Sequence, residues 1–274
     1  MDINKKILIG AISGAVIIGG TIIGFILSQT PKKADLSTIH TEAATQAEPE
    51  TMAPSGQAPS ESLNSQDKEA TASGIAAEIE TYTSGTISIQ YPVIHSTEDA
   101  AKQEQINSRL KSNALSVIKA KGIDETKDSL SIKCKIISID PKRLTATYTG
   151  SLTTEGASQP VNLFYANTVN LIQNQDLGMN DFSDPYTMAG YVLSDDVTFS
   201  GISSDVEAEV KAYRSTLDLN TLSKLFEEGD FPLTSEAQWP ESFSYEKQGT
   251  IYVSMPVPHS MGDYVLVSFN PSTK

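Results

Sequence analysis

The spacing of hydrophobic positions changes along this chain, and each spacing predicts a different kind of element. From Ile7 to Leu27 the run ILIGAISGAVIIGGTIIGFIL is apolar throughout and uncharged. As a helix rising 1.5 Å per residue it extends about 31 Å, the thickness of a bilayer core, so it predicts a transmembrane helix. Residues 28–82 follow, with no aromatic residue between Phe25 and Tyr82 and a composition of Ala, Ser, Thr, Glu, Gln and Pro. Such a stretch buries too little apolar area to offset the entropy of ordering it, and reads as a disordered tether spanning on the order of 40 Å as a coil. Within it, Gly74 to Ile79 is the piece that would start a short helix.

From Thr83 onward the pattern becomes that of a folded domain. Ile87, Ile89 and Tyr91 alternate in a strand over Thr86 to Ile94 that Pro92 should end. Ser96 and Asp99 open a helix carrying Ile106, Leu110, Ala114 and Val117 at helical spacing, with Gly122 as its stop. Strands at Ser129 to Ile139, Leu144 to Thr154 and Val161 to Leu171 alternate in turn, the last through Leu163, Tyr165, Asn167 and Val169. They predict an antiparallel meander with one face buried under that helix. Helices follow over Ser203 to Thr216 and from Asp218 to Gly229. A hairpin then turns at Lys247-Gln248-Gly249, and a closing strand runs from Tyr264 to Phe269. The order β-α-β-β-β-α-α-β-β-β predicts an α+β fold of antiparallel sheets packed on helices, in two adjoining modules of about 83–172 and 173–274, split somewhere near Ile172 to Tyr191.

Charge and cysteine content narrow the function. Twenty basic residues against 34 acidic ones give a net charge of −14, which repels phosphate backbones and excludes nucleic acid as a natural partner. The single cysteine, Cys134, forms neither an internal disulfide nor a thiolate zinc site, and its apolar run predicts a buried small hydrophobe. Lys5 and Lys6 precede the span, while Ser28-Gln29-Thr30 makes a poor cleavage site, so an uncleaved anchor is expected rather than a signal peptide. Lys32 and Lys33 balance the charge across the span. Its position near the start of the chain then favours residues 1–6 as a cytoplasmic stub, with everything from Ser28 outside the cell membrane. Gly10, Gly14, Gly20 and Gly24 share one face of the span, where a second copy could pack to make a homodimer.

The strand ISIQYP, the helix containing Gln105-Ile106-Asn107, the strand FYANTVNLI and the hairpin FSYEKQGTIYVSMPV resemble the RsiV-type extracytoplasmic domain family over roughly residues 84 to 270. That family occurs in membrane-anchored anti-sigma factors that bind lysozyme, and as an accessory module before some polysaccharide deacetylases. The resemblance therefore implies an extracytoplasmic module with a lysozyme-like or cell-wall ligand. Met1 to Lys6 is too short a segment to hold a sigma factor, and no deacetylase domain follows. Val257-Pro258-His259 stands where the family carries a tyrosine-bearing turn.

Local motifs for chemistry are few. His40, His95 and His259 lack metal-ligand spacing, and neither a nucleophile elbow nor a phosphate loop is present. His95 and His259 could still meet in space. Asp181 with Asp184, and Asp195 with Asp196, lack the alternating ligands of a calcium loop and read as solvated charges. Tyr186, Tyr191 and Trp239 lie in loop-like or weakly patterned stretches and, with His259, are the candidate partner-binding residues, core burial being the alternative for each of the three aromatics. No metal or other cofactor is expected. The sequence points to a membrane-anchored binding or sensing module for a protein or cell-wall ligand, with an enzyme or enzyme-accessory domain acting on wall glycan as the alternative.

Overall fold

The computed structural model describes residues 70–72, 74–96, 99–233 and 238–271, all within a compact unit spanning Ser62–Lys274. The stub at 1–6, the span at 7–27 with Gly10, Gly14, Gly20 and Gly24, and the tether as far as residue 69 lie outside the described residues. Among the described residues no helix is long and apolar enough to cross a membrane.

The fold is α+β, with antiparallel sheets packed against helices. Seven strands form one sheet in sequence order: β1 (Ala70–Ala72), β2 (Ile75–Ser84), β3 (Ile87–Ser96), β4 (Ser129–Ile139), β5 (Arg143–Thr153), β6 (Val161–Asn170) and β7 (Gln175–Leu177). Every neighbouring pair is antiparallel except β3 and β4, which run parallel because helix α1 (Ala100–Ala120) carries the chain back between them. Asp99 caps α1 by accepting from the Lys102 N–H at 3.0 Å, and Ile106, Leu110, Ala114 and Val117 are buried beneath it. The Tyr165 hydroxyl donates to the Ala114 carbonyl at 2.9 Å, fixing helix to sheet. Gly150 is required where β5 meets β4, because a Cβ there would lie 1.8 Å from the Ser131 carbonyl oxygen.

Two expectations need correction. Ile75–Ser84 is a strand paired with β3 along its whole length, so the folded part begins before Thr83 and Gly74 to Ile79 does not start a helix. Ile75, Ala77 and Ile79 have period two, but the alanine pair Ala76-Ala77 blurs the contrast between the two faces and hid the alternation. Pro92 does not end β3. Pairing with β4 stops at Ile89, and beyond it the side of β3 away from β2 is open. Ile94, oriented like Pro92, turns its backbone to that side: its N–H donates to Asn107 Oδ1 at 2.8 Å and its carbonyl accepts from Nδ2 at 3.0 Å. Proline's missing N–H therefore breaks no ladder bond. β7 still belongs to the first sheet, so that sheet runs to Leu177.

Helix α2 (Met179–Phe182) and α3 (Pro185–Leu193) lead into a second sheet. It has the order β8 (Thr198–Ser200), β11 (Tyr264–Phe269), β10 (Thr250–Pro256) and β9 (Ser244–Lys247), all antiparallel. Helices α4 (Ser204–Arg214) and α5 (Leu219–Glu227) complete its cover. Met188, Val210, Leu222 and Phe226 bury against Ile251, Val253, Met255, Val265 and Val267. Phe231, Phe243 and Tyr245 pack instead into the first core, which interlocks the two halves.

Candidate functional site

The register of β7 on β6 sets Asp176 opposite Val169, on the face that lies under α1. A buried carboxylate needs partners, and α1 supplies them from one side of the helix. Arg109 Nη1 donates to Asp176 Oδ2 at 2.7 Å and Asn113 Nδ2 donates to Oδ1 at 2.8 Å. One helical turn separates these two residues, so they reach the same spot. From the sheet, Asn167 Nδ2 donates to Oδ1 at 3.0 Å, while its own Oδ1 accepts from Asn113 at 3.2 Å. Arg109 Nε donates to Asn174, which sits in the β6–β7 turn with φ of 50°. The side chain of Asp176 is 1% exposed and that of Arg109 is 32% exposed, so the pair joins the interior to the surface.

Above this floor lies an open groove of about 660 Å³, lined by Ala101, Glu104, Gln105, Ser108, Arg109, Ser112, Asn113 and Asn174. A recess of about 350 Å³ continues it through the shared Ser112 and Asn113 to Leu115, Ser116, Lys119 and Leu233. The floor is held in place by its own hydrogen bonds, and Arg109 Nη2 makes none among the described residues. This arrangement can take hydrogen bonds and one negative charge from a polar ligand.

A smaller cleft of about 280 Å³ gathers Asp176, Asp181, Glu227, Glu228 and Asp230. Asp230 is 4% exposed. Its Oδ1 accepts from the Ser244 N–H at 2.5 Å, and its Oδ2 from Ser244 Oγ at 2.5 Å and the Met179 N–H at 2.7 Å. Burial pushes the carboxyl up to about 7, the Ser244 and Met179 donors pull it back, and the Asp181 charge adds to the rise. Gly178 must be glycine here, because a Cβ would come within 2.7 Å of Asp230 Cβ. Both oxygens of Asp230 serve to tie α2 to β9.

The residues singled out from the sequence do not converge. Tyr186 and Tyr191 lie in α3, not in loops. Tyr186 is exposed, whereas Tyr191 is buried, donates to the Ser268 carbonyl at 3.0 Å and accepts from the Thr198 N–H at 3.0 Å. Trp239 is a half-buried member of a ring cluster, 5.2 Å from both Tyr165 and Phe243. His259 is bonded to Asp263 and to Gln159, each at 2.8 Å, and His95 is bonded to Glu78 at 2.7 Å. The acidic pairs have local duties: Asp184 caps α3 through Thr187, Asp181 accepts from the Gly178 N–H, and Asp195 pairs with Arg214. Cys134 is buried, and burial pushes its thiol up to about 12. Among the described residues no three His, Cys, Asp or Glu side chains group to hold a metal ion.

Sequence reading missed Arg109, Asn113, Asn174 and Asp176. One signal was present: Asn167 is an amide in an otherwise apolar inward-facing series, and a buried amide there requires a partner.

The chain is similar in structure to a DUF3298 family member from Bacteroides fragilis NCTC 9343, at 12% identity and a TM-score of 0.36, covering 73% of this chain and 90% of that one. It is similar also to a DUF3298 family protein from Pseudomonas aeruginosa PAO1, at 10% identity and a TM-score of 0.39, covering 72% and 90%. No protein-family model matches the sequence, and no curated protein matches it.

Proposed function

We propose that this chain is a membrane-anchored extracytoplasmic binding or sensing module, and that its ligand, a protein or a cell-wall polymer, lies in the groove beside α1. The observation that carries this reading is the Arg109–Asp176 pair beneath that groove. Its polar groups are positioned in advance by Asn113, Asn167 and Asn174. The apolar run at 7–27 supports the anchor, with the N-terminus inside, and the resemblance to RsiV-type domains supports the placement outside the cell and a lysozyme-like or wall ligand. The glycine face of the span supports a homodimer within the membrane.

The alternative, an enzyme or accessory domain acting on wall glycan, draws on one observation, the carboxyl of Asp230 raised to about 7 in an acidic cleft. The full chain, incubated with cell-wall fragments and with lysozyme, separates the two readings. Retention of one of them that falls by about tenfold in Arg109→Ala, without release of soluble muropeptides, is the expected result. Release of fragments, abolished by Asp230→Asn, would replace binding with catalysis.

A further inference from the structure

The seven-stranded sheet has a second face, turned away from α1, whose composition sets it apart from the rest of the chain. Strands β3, β4, β5 and β6 contain no Asp or Glu, although the chain carries 34. On the outer face their paired residues form rows. Ser131 stands opposite Ser151 and Ser151 opposite Asn162; Lys133 stands opposite Thr149 and Thr149 opposite Phe164; Lys135 stands opposite Thr147. Ser131, Lys133, Lys135, Thr149 and Asn162 are exposed, and neither lysine makes an ion pair among the described residues. The two lysines lie on one strand with one residue between them, so their side chains rise from the same face roughly 7 Å apart.

The second sheet gives this face a wall. The Phe164 ring lies 5.3 Å from that of Tyr264 and 6.4 Å from that of Tyr245, and Tyr245 stacks on Tyr252 at 4.8 Å with planes 7° apart. Tyr252 and Tyr264 are half-buried, each with part of its surface open. Beyond them, Arg143 is tied to Glu246 of the β9–β10 hairpin at 2.6 Å, which closes that end.

We infer that this outer face is a second binding surface, distinct from the groove beside α1, and that its occupant is an anionic glycan chain. On a chain of net charge −14, these four strands carry no acid and two lysines that make no ion pair among the described residues, and the carboxylates at their rim, Asp263 and Glu246, are already bonded to Asn162 and Arg143, so a polyanion meets little free like charge here. The choice of a glycan rests on the neighbours of those lysines. A saccharide presents hydroxyl edges, which the rows of Ser and Thr complement, and an apolar ring face, which Tyr252 and Tyr264 can cover. An acidic peptide would use the lysines but leave the hydroxyl rows and the aromatic wall without a role.

The test uses the full chain with a hyaluronan octasaccharide as the anionic glycan, a chitin hexasaccharide as the neutral one, and polyglutamate as the acidic polypeptide. The expected result is hyaluronan binding that drops at least about tenfold in Lys133→Glu/Lys135→Glu, drops similarly in Tyr252→Ala, and is unchanged in Lys224→Gln, an exposed lysine of α5. The chitin fragment and polyglutamate should bind at least about tenfold more weakly than hyaluronan. Lys133→Gln/Lys135→Gln, at exposed strand positions, repeats the test without adding negative charge, and thermal melts check that each variant folds. Three results would overturn the inference: no hyaluronan binding by the folded wild type, binding indifferent to the lysine and tyrosine changes, or polyglutamate bound as tightly as hyaluronan. A loss in Arg109→Ala equal to that in the lysine variants would move the ligand to the groove and also overturn it.

Discussion

Asp176 and Asp230 are both buried carboxylates, 5% and 4% exposed, yet their surroundings put them to different uses. Asp176 faces a guanidinium and two amides, so its negative charge has a formal counter-charge that itself reaches the surface. Asp230 has only neutral donors, from Ser244 and Met179, and burial prevails over them enough to lift its carboxyl to about 7. Burial alone therefore does not decide what a carboxylate does. A charged partner that is itself half in water makes the first one part of a groove, whereas a closed shell of backbone and hydroxyl donors makes the second a fastening between elements.

The largest effect should come from breaking the charged case. Asp176→Ala leaves Arg109, Asn113 and Asn167 without their shared acceptor and should cost about 3 kcal/mol, read from urea denaturation. A loss below about 1 kcal/mol would mean that water already screens the pair, and the contrast with Asp230 would collapse.

The neutral case should show itself through pH. A carboxyl near 4 in the unfolded chain and about 7 in the folded one binds its proton more tightly when folded. Its contribution to stability is therefore complete below about pH 4, falls as pH rises toward 7, and is constant above that. Asp230→Asn, which also loses an acceptor at a cost of about 1–3 kcal/mol, should flatten this slope, so that its deficit against wild type shrinks between pH 4 and pH 7. Parallel stability curves for the two proteins over that window would show that the donors hold Asp230 ionised.

The smallest effect tests geometry rather than charge. Arg109→Lys keeps the cation but loses the bond to Asn174, and should cost about 1 kcal/mol while weakening ligand retention. Unchanged retention would reduce Arg109 to a point charge for Asp176.

Much of this fold was legible because its longer elements repeat their pattern. The α1 stripe and the β4–β5–β6 meander were read with nearly their observed limits, as were α4, α5 and the β9–β10 hairpin. The short elements were not, since β7 and β8 have three residues each and α2 has four, too few to show a period. The α3 sequence PYTMAGYVL is nearly all apolar, so it has no contrasting face to read. The candidate site was hidden for another reason. Arg109 and Asp176 are separated by 67 positions and meet only because β7 takes one register on β6. Conversely, the sequence left Tyr191 and Trp239 open between partner binding and core burial because their partners, Ser268 and Tyr165, are also remote in sequence.

The central claim is that a ligand occupies the groove beside α1. Amide hydrogen exchange of the full chain, with and without saturating cell-wall fragments or lysozyme, tests it most directly. The account predicts added protection over residues 101–113 and 173–177 that disappears in Arg109→Ala. Protection confined to other parts of the chain, with those two segments unchanged, would contradict it.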